Sequence, residues 1–416
     1  MSVILLKNAL ILDGDSAEKG DVIVKDDRIF GVYPCGGAPA DIKPQREINC
    51  EKKILMPALF NAHTHAAMTL FRGAGADLAL QDWLFGVILP REEHLTPQDV
   101  YIGTLLAAAE MIRFGTAGFL DMYYFMKEVC RAGIDSGMRV CASCSKAVGE
   151  MSAEFQGAGG GRVNIIAALH AEYTATQEEL DQALSFVQRY KLPLHVHVSE
   201  TKGETEEGFL RRGKTPARFF SEGGFFDYGG VAAHGIWLSD EDITALKEKN
   251  VFVGHCPISN MKLSSGVMPI GKLMRAGVQV ALGTDGCASN NNLNLFEEIR
   301  LVSLLHKGVG NDPAAVSSKE AFKMATRTGA LACGFAESGM IKSGAKADII
   351  LLDIDVPHAV PMIDPYAHIA YSAQGSDVCM TMVDGKILYE NGAYTGLDIK
   401  EISAKAQVCA QRLALS

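Results

Sequence analysis

Five apolar runs in this chain each end on histidine or aspartate. Ile54-Leu55-Met56-Pro57 leads to Asn61-Ala62-His63-Thr64-His65, and Leu194-His195-Val196-His197-Val198 is followed by Ser199-Glu200. Ala232-Ala233 precedes His234, Val253-Gly254 precedes His255-Cys256, and Ala281-Leu282-Gly283-Thr284 precedes Asp285. Residues two apart on a strand point to the same face, so His63 and His65 can grip one ion from one side. The His195/His197 pair shares a face in the same way. The chain holds only eleven histidines, and purely structural use would scatter them. Imidazole combined with carboxylate suits zinc, or iron as second choice. Three histidines and one aspartate around an ion leave room for a water, whose pKa a metal lowers toward ~7. Glu200, just beyond its strand, is placed to handle protons. Taken singly, Asp285 could equally cap a helix and Glu200 could be a solvated loop acid. The run Val163–Leu169 ends on His170 and supplies no lysine that could be carboxylated to bridge a second metal, so a one-metal site is expected.

The elements around these residues alternate. The short apolar runs 140–142, 163–169, 194–198, 231–233, 251–254 and 278–282 are separated by amphipathic segments such as 97–114, 177–190 and 241–249 at helical period. Strands alternating with helices imply parallel strands joined by crossovers. Residues 57–344 suit a (β/α)8 barrel, for which about 250 residues is typical. The rival doubly wound sheet lacks its GxGxxG after the first strand. In a parallel barrel, chemistry belongs at the C-terminal ends of the strands, where the histidines fall. Residues 1–56 read instead as short strands: Val3–Leu6, Ala9–Leu12, and Asp21–Lys25 and Arg28–Val32 about an Asp26-Asp27 turn. The same texture returns in Ala347–Leu352 and in a hairpin over Thr381–Leu388. The two ends, 1–56 with 345–416, are expected to form one small β-sandwich. Residues 70–89 and 149–161 are candidate loops to close over a substrate, with Gly157–Gly161 mobile.

Composition narrows the functional class. A formal charge of −10 argues against a sequence-independent grip on nucleic acid. No apolar stretch approaches the about 20 uncharged residues of a membrane span, and the first residues do not read as a secretion signal. Cys141 and Cys144 form one CxxC with no second pair, and the ten cysteines read as reduced core residues. A cytoplasmic protein with no membrane and no nucleic-acid partner is expected.

Asn61-Ala62-His63-Thr64-His65, His197 with Glu200, His234 and Gly283-Thr284-Asp285-Gly286 resemble the amidohydrolase superfamily. The closer resemblance is to its 5′-methylthioadenosine/S-adenosylhomocysteine deaminase branch. It is supported by Met68–Gly73, Asp82-Trp83-Leu84, Pro90-Arg91-Glu92, His255–Leu263 and Gly283–Phe296, and it covers essentially the whole chain. The resemblance implies one Zn2+ per subunit on His63, His65, His197 and Asp285, with Asp285 also accepting a proton from the attacking water. It implies that Glu200 carries a proton to purine N1, that His234 orients the attacking oxygen, and that an inosine-type product and ammonia are released. Protonating N1 spares the ring a developing negative charge. Glu92 and His170 match positions that bind ribose hydroxyls, and Trp83 is a substrate-binding candidate. Relatives are often homo-oligomers, so a homo-oligomer acting on a small purine nucleoside is expected.

One departure bears on specificity. Members that take S-adenosylhomocysteine appose arginines to its amino-acid carboxylate, but Cys144 stands where one is expected, and only Lys146 or Arg162 could substitute. Lysine is a point charge rather than a bidentate fork. Weaker selection for S-adenosylhomocysteine than for adenosine, 5′-methylthioadenosine or 5′-deoxyadenosine is therefore expected. The same metal set could instead serve a free base or another N-heterocycle (guanine, pterin or triazine type), and a non-catalytic barrel scaffold is the remote third reading. His195 is left as packing or support, because choosing His197 as ligand places Glu200 three residues on. Cys256 and Cys287 are read as packing residues.

Overall fold

The structure, a computed structural model, describes residues 2–415. Five strands come first: β1 (Val3–Leu12), β2 (Ala17–Lys25), β3 (Arg28–Pro34), β4 (Arg46–Asn49) and β5 (Lys53–Pro57). Eight more follow: β6 (Leu59–Thr64), β7 (Thr116–Met122), β8 (Arg139–Cys144), β9 (Val163–Ala171), β10 (Leu194–Val198), β11 (Gly230–His234), β12 (Val251–His255) and β13 (Val280–Leu282). These eight lie side by side in chain order, each parallel to the next. Helices such as Gln177–Tyr190 and Asp240–Glu248 connect them, each opened by a capping box, Thr176 with Glu179 and Ser239 with Asp242. The last strands, β14 (Ile349–Asp353), β15 (Val378–Val383), β16 (Lys386–Glu390) and β17 (Ala393–Tyr394), return to the first five. Together they make one mixed sheet in the order β17-β16-β15-β14-β5-β1-β2-β3, with β4 on β1. A (β/α)8 barrel thus carries a sheet built from both ends of the chain.

Closure of the barrel sets up the site. Beyond the short β13, the Asp285 N–H donates to the His63 carbonyl at 3.0 Å. The Asn61 amide spans the same seam, donating to Thr284 Oγ1 at 2.7 Å and accepting from the Thr284 N–H at 3.0 Å. A Cβ on Gly283 would stand 2.8 Å from the His63 backbone N and O, so only glycine lets the first and last barrel strands come this close.

Several local expectations change. Residues 3–6 and 9–12 form one strand, bent at a bulge where Asn8 turns left-handed (φ 65°) and donates its N–H to the Asp21 carboxylate. Ile54–Met56 lies in the terminal sheet, as the 1–56 boundary implies, but as the separate strand β5, and the strand that carries His63 is β6. The second barrel strand, β7, lay outside the runs read from sequence because Gly118 and Asp121 interrupt its apolar pattern. Residues 399–415 form a helix rather than β structure, and Arg412 ties it to Asp99 of the barrel helix Pro97–Arg113. Gly157–Gly161 immediately precedes β9, with Gly157 N–H bonded to Val163 O. It therefore sits at the N-terminal mouth of the barrel and cannot close over a site at the other end.

A buried ion network joins barrel to sheet. Arg139, at the start of β8 and 1% exposed, donates from Nε and Nη2 to Asp348 at 2.7 and 2.9 Å and from Nη2 to Asp384 at 2.9 Å. Asp348 also accepts from the Ser338 hydroxyl and the Asp384 N–H. Removing one partner from a buried set strands the opposite charges in a poor solvent for them. Arg139→Met is expected to lower the unfolding free energy by about 3–5 kcal/mol in urea titrations. A loss below about 1 kcal/mol would mean that water already screens these charges.

Candidate active site

The strand ends bring His63, His65, His197, His234 and Asp285 together. The ligand atoms of His63, His65 and His197 lie within 4.8 Å of one another, as do those of His63, His234 and Asp285. Backbone carbonyls orient two of the rings: His65 Nδ1 bonds Met122 O, and His197 Nδ1 bonds His170 O at 2.7 Å. A carbonyl can only accept, so each Nδ1 carries the proton and, in the neutral ring, each Nε2 presents a lone pair. Those two Nε2 atoms face each other at 3.3 Å. Asp285 Oδ1 is 3.2 Å from His65 Nε2 and 3.5 Å from His63 Nε2, and the buried His63 Nε2 has no hydrogen-bond partner. Imidazole lone pairs converging beside a carboxylate call for a positive charge. Burial works against charging His65, yet Asp285, with which it pairs, pushes it up to about 9. The donor set of imidazoles and one carboxylate is what a divalent zinc-type ion takes. The residues fit a metal.

Three of these strand ends are turned sharply. Ser199, His234 and Asp285 adopt left-handed backbone at φ 52°, 70° and 62°, a conformation uncommon outside glycine and concentrated at functional positions. The turn at Asp285 lets its Oδ1 accept from the Gly286 N–H at 2.9 Å while Oδ2 accepts from Ser259 Oγ at 2.7 Å. Burial opposes ionising Asp285, but the His63 and His65 imidazoles beside it hold it well below the usual carboxylate range.

Glu200 stands on the same mouth. Its Oε1 accepts from Ser265 Oγ at 3.2 Å and its Oε2 lies 3.7 Å from His234 Nε2. Burial raises the Glu200 pKa, which suits a group that must hold and release a proton. His234 Nδ1 bonds Asn260 Oδ1 at 2.8 Å, so its Nε2 is aimed back toward Glu200. Burial disfavours charge on His234 as well, but Glu200 and Asp285 outweigh it and raise its pKa.

The remaining expected residues surround this centre. Glu92 and Trp83 are buried, and Glu92 Oε1 and Trp83 Nε1 have no partner in the chain. Burial pushes Glu92 up to about 6 against the neighbouring Tyr123, His65 and Tyr124. The His170 ring is exposed at the end of β9, 4.8 Å from the His197 ring, with Nδ1 on Thr174 Oγ1 at 2.7 Å. The Tyr123 hydroxyl and Asn260 Nδ2 are likewise buried and unpartnered. Buried polar atoms seldom go unpaired, and these are the ones a polar ligand would engage. Cys144 is buried, its thiol pushed up to about 12 by burial. Arg162 donates to Ile134 O near Asp384 and Arg139, at the opposite end of the barrel. Lys146 is exposed near Glu179. Cys256 and Cys287 are fully buried, with thiols raised by burial.

Sequence reading gave no role to three residues that hold the others, Ser259, Asn260 and Glu204, and left His195 as packing or support. Ser259 and Asn260, adjacent on the helix Pro257–Lys262, serve Asp285 and His234 respectively. Glu204 accepts the backbone N–H groups of Ser199 and Glu200 at 2.8 and 2.7 Å, fixing the turn that presents Glu200. Its only sequence signal is an acid one helical turn after Glu200. His195 bonds His63 Nδ1 at 2.8 Å.

Known proteins resemble this chain along nearly its whole length. Over 99% of both chains, the protein is 41% identical to the 5-methylthioadenosine/S-adenosylhomocysteine deaminase of Pelotomaculum thermopropionicum. It is 42% identical, again over 99% of each, to the 5′-deoxyadenosine deaminase of Methanosarcina mazei. The crystal structure of a zinc-bound adenosine deaminase from Xanthomonas campestris superposes with a TM-score of 0.94 at 29% identity, covering 99% of each chain. No helix among the described residues is long and apolar enough to cross a membrane. Residues 54–388 match the amidohydrolase family, and the chain belongs to that family.

Proposed function

We propose that this chain is a zinc-dependent hydrolase that removes the C6 amino group of an adenosine-type nucleoside as ammonia, leaving the inosine-type product. The observation that carries this is the convergence of His63, His65, His197 and Asp285 beside Glu200 and His234 at one barrel mouth. Held by those four residues, zinc would supply Lewis acidity and lower the pKa of a water at neutral pH. Asp285, kept ionised by its imidazole neighbours, accepts a proton from the attacking water and yields it to the departing amino group, which leaves as ammonia. Glu200, whose proton affinity burial raises, delivers a proton to purine N1 so that attack at C6 leaves the ring neutral. His234 Nε2 orients the attacking oxygen and steadies the charge that develops on it. Glu92 and His170 engage the ribose hydroxyls, and Trp83 borders the substrate. The names of the relatives, methylthioadenosine/S-adenosylhomocysteine and 5′-deoxyadenosine deaminases, support the adenosine class.

The segment from β8 to β9 offers few groups able to read a carboxylate on the 5′ substituent. Arg162 is engaged at the far end of the barrel, Cys144 is buried, and Lys146 alone stands on the loop after β8. Substrates with uncharged 5′ groups are therefore favoured. Ammonia release by zinc-reconstituted protein should be measured on adenosine, 5′-deoxyadenosine, 5′-methylthioadenosine, S-adenosylhomocysteine, adenine, guanine and cytosine. The nucleosides are expected to turn over, with S-adenosylhomocysteine lowest in kcat/KM and the bare bases inert. An S-adenosylhomocysteine value above the other three would refute the selectivity, and turnover of a base alone would refute the ribose roles of Glu92 and His170.

Glu200→Gln keeps the size and the Ser265 contact but not the proton. It should lower kcat by about 10²–10⁴-fold with zinc content unchanged. A kcat within tenfold of the parent enzyme would remove Glu200 from the proton path.

A further inference from the structure

We infer that His195, backed by Ser143, is a positioning residue that sets the His63 ring for metal binding. The inference rests on the zinc reading above. Of the three histidines in the ligand set, two have their Nδ1 proton fixed by a backbone carbonyl, which accepts only: Met122 O for His65 and His170 O for His197. His63 differs. Its Nδ1 meets the Nε2 of His195 at 2.8 Å, and the two rings stand edge to face at 86°. The other nitrogen of His195, Nδ1, meets Ser143 Oγ at 2.7 Å. An imidazole nitrogen and a hydroxyl can each donate or accept, so two proton arrangements satisfy the chain Ser143–His195–His63.

Only one of them frees His63 for a cation. If His63 Nε2 is to offer its lone pair, Nδ1 must carry the proton and donate it to His195 Nε2. His195 must then carry its own proton on Nδ1 and donate to Ser143 Oγ. In the opposite arrangement each proton sits one place over, and His63 Nε2 is a donor that no metal can use. The three residues lie on the first, third and fifth barrel strands, β6, β8 and β10, which contribute to one interior layer of such a barrel. All three are buried. Gly254 on the seventh, β12, adds no side chain to this layer, and its Cα hydrogen faces His63, where a Cβ would stand 3.5 Å from the His63 Cβ. Ser143 is thus the terminal acceptor that makes the metal-competent arrangement of His63 self-consistent.

The test is zinc affinity, measured on folded protein by competition with a chelating dye, for His195→Phe, Ser143→Ala and His63→Ala. Removing the partner of a ligating histidine is expected to weaken zinc binding about 10–100-fold. Loss of this order in His195→Phe, and a smaller loss in Ser143→Ala, would support the inference. Zinc lost from His63→Ala but held at parent affinity by the other two variants would overturn it while leaving the metal reading intact. Unchanged affinity in His63→Ala would overturn the metal reading and this inference with it. If His195→Phe does not fold, Ser143→Ala decides, since it deletes one hydroxyl. Nitrogen NMR of the histidines in the zinc-loaded protein gives a second readout: His195 should be protonated at Nδ1, and protonation at Nε2 would refute the relay.

Discussion

Two imidazole lone pairs pointed at each other are repulsive unless something positive stands between them. His65 and His197 are held in that relation by carbonyls of their neighbouring strands, Met122 O and His170 O, so neither ring can rotate away without abandoning a buried hydrogen bond. Their convergence therefore belongs to the barrel backbone and not to side-chain preference. Asp285 joins them from the seam where the last strand meets the first. Of the three histidines, His63 is the one whose ring is held by another side chain, that of His195.

The fold can be understood as what keeps those strand ends in register. Gly283 allows β13 to approach β6 so closely that Asp285 and His63 share a backbone hydrogen bond. At the other mouth, Arg139 clamps the start of β8 to Asp348 and Asp384 of the terminal sheet. Just beyond β12 the helix Pro257–Lys262 gives Ser259 to Asp285 and Asn260 to His234, so one short element holds two side chains of the site. Glu204 does the same for the backbone of Ser199 and Glu200. Chemistry at this mouth is thereby placed on groups that are themselves restrained, which is what catalytic geometry requires.

Much of this was legible in the chain, for identifiable reasons. Metal ligation and proton transfer admit few residue types, so His63, His65, His197, Glu200, His234 and Asp285 stand out at the ends of apolar runs. The alternation of strand and helix declared the barrel, because parallel pairing has few other solutions. The supporting residues were harder to see. A serine such as Ser143 or Ser259 is uninformative by type, and its importance comes only from what lies across the barrel. β7 hid because Gly118, which leaves room for Phe60 and Arg139, and the buried Asp121 break its apolar run. The C-terminal helix buries only Ile402, Ala406 and Leu413, a stripe too thin to outweigh the β-rich texture before it. Gly157–Gly161 looked like a lid from its composition, but its place in the barrel repeat puts it at the wrong mouth.

Anomalous diffraction at the zinc edge, from crystals of the zinc-loaded protein, tests the central claim most directly. One peak per chain is expected, bounded by His63, His65, His197 and Asp285, with His195 outside the ligand set and still bonded to His63. A peak ligated by His195 or by His255, or a peak that leaves His197 or Asp285 unligated, would contradict it.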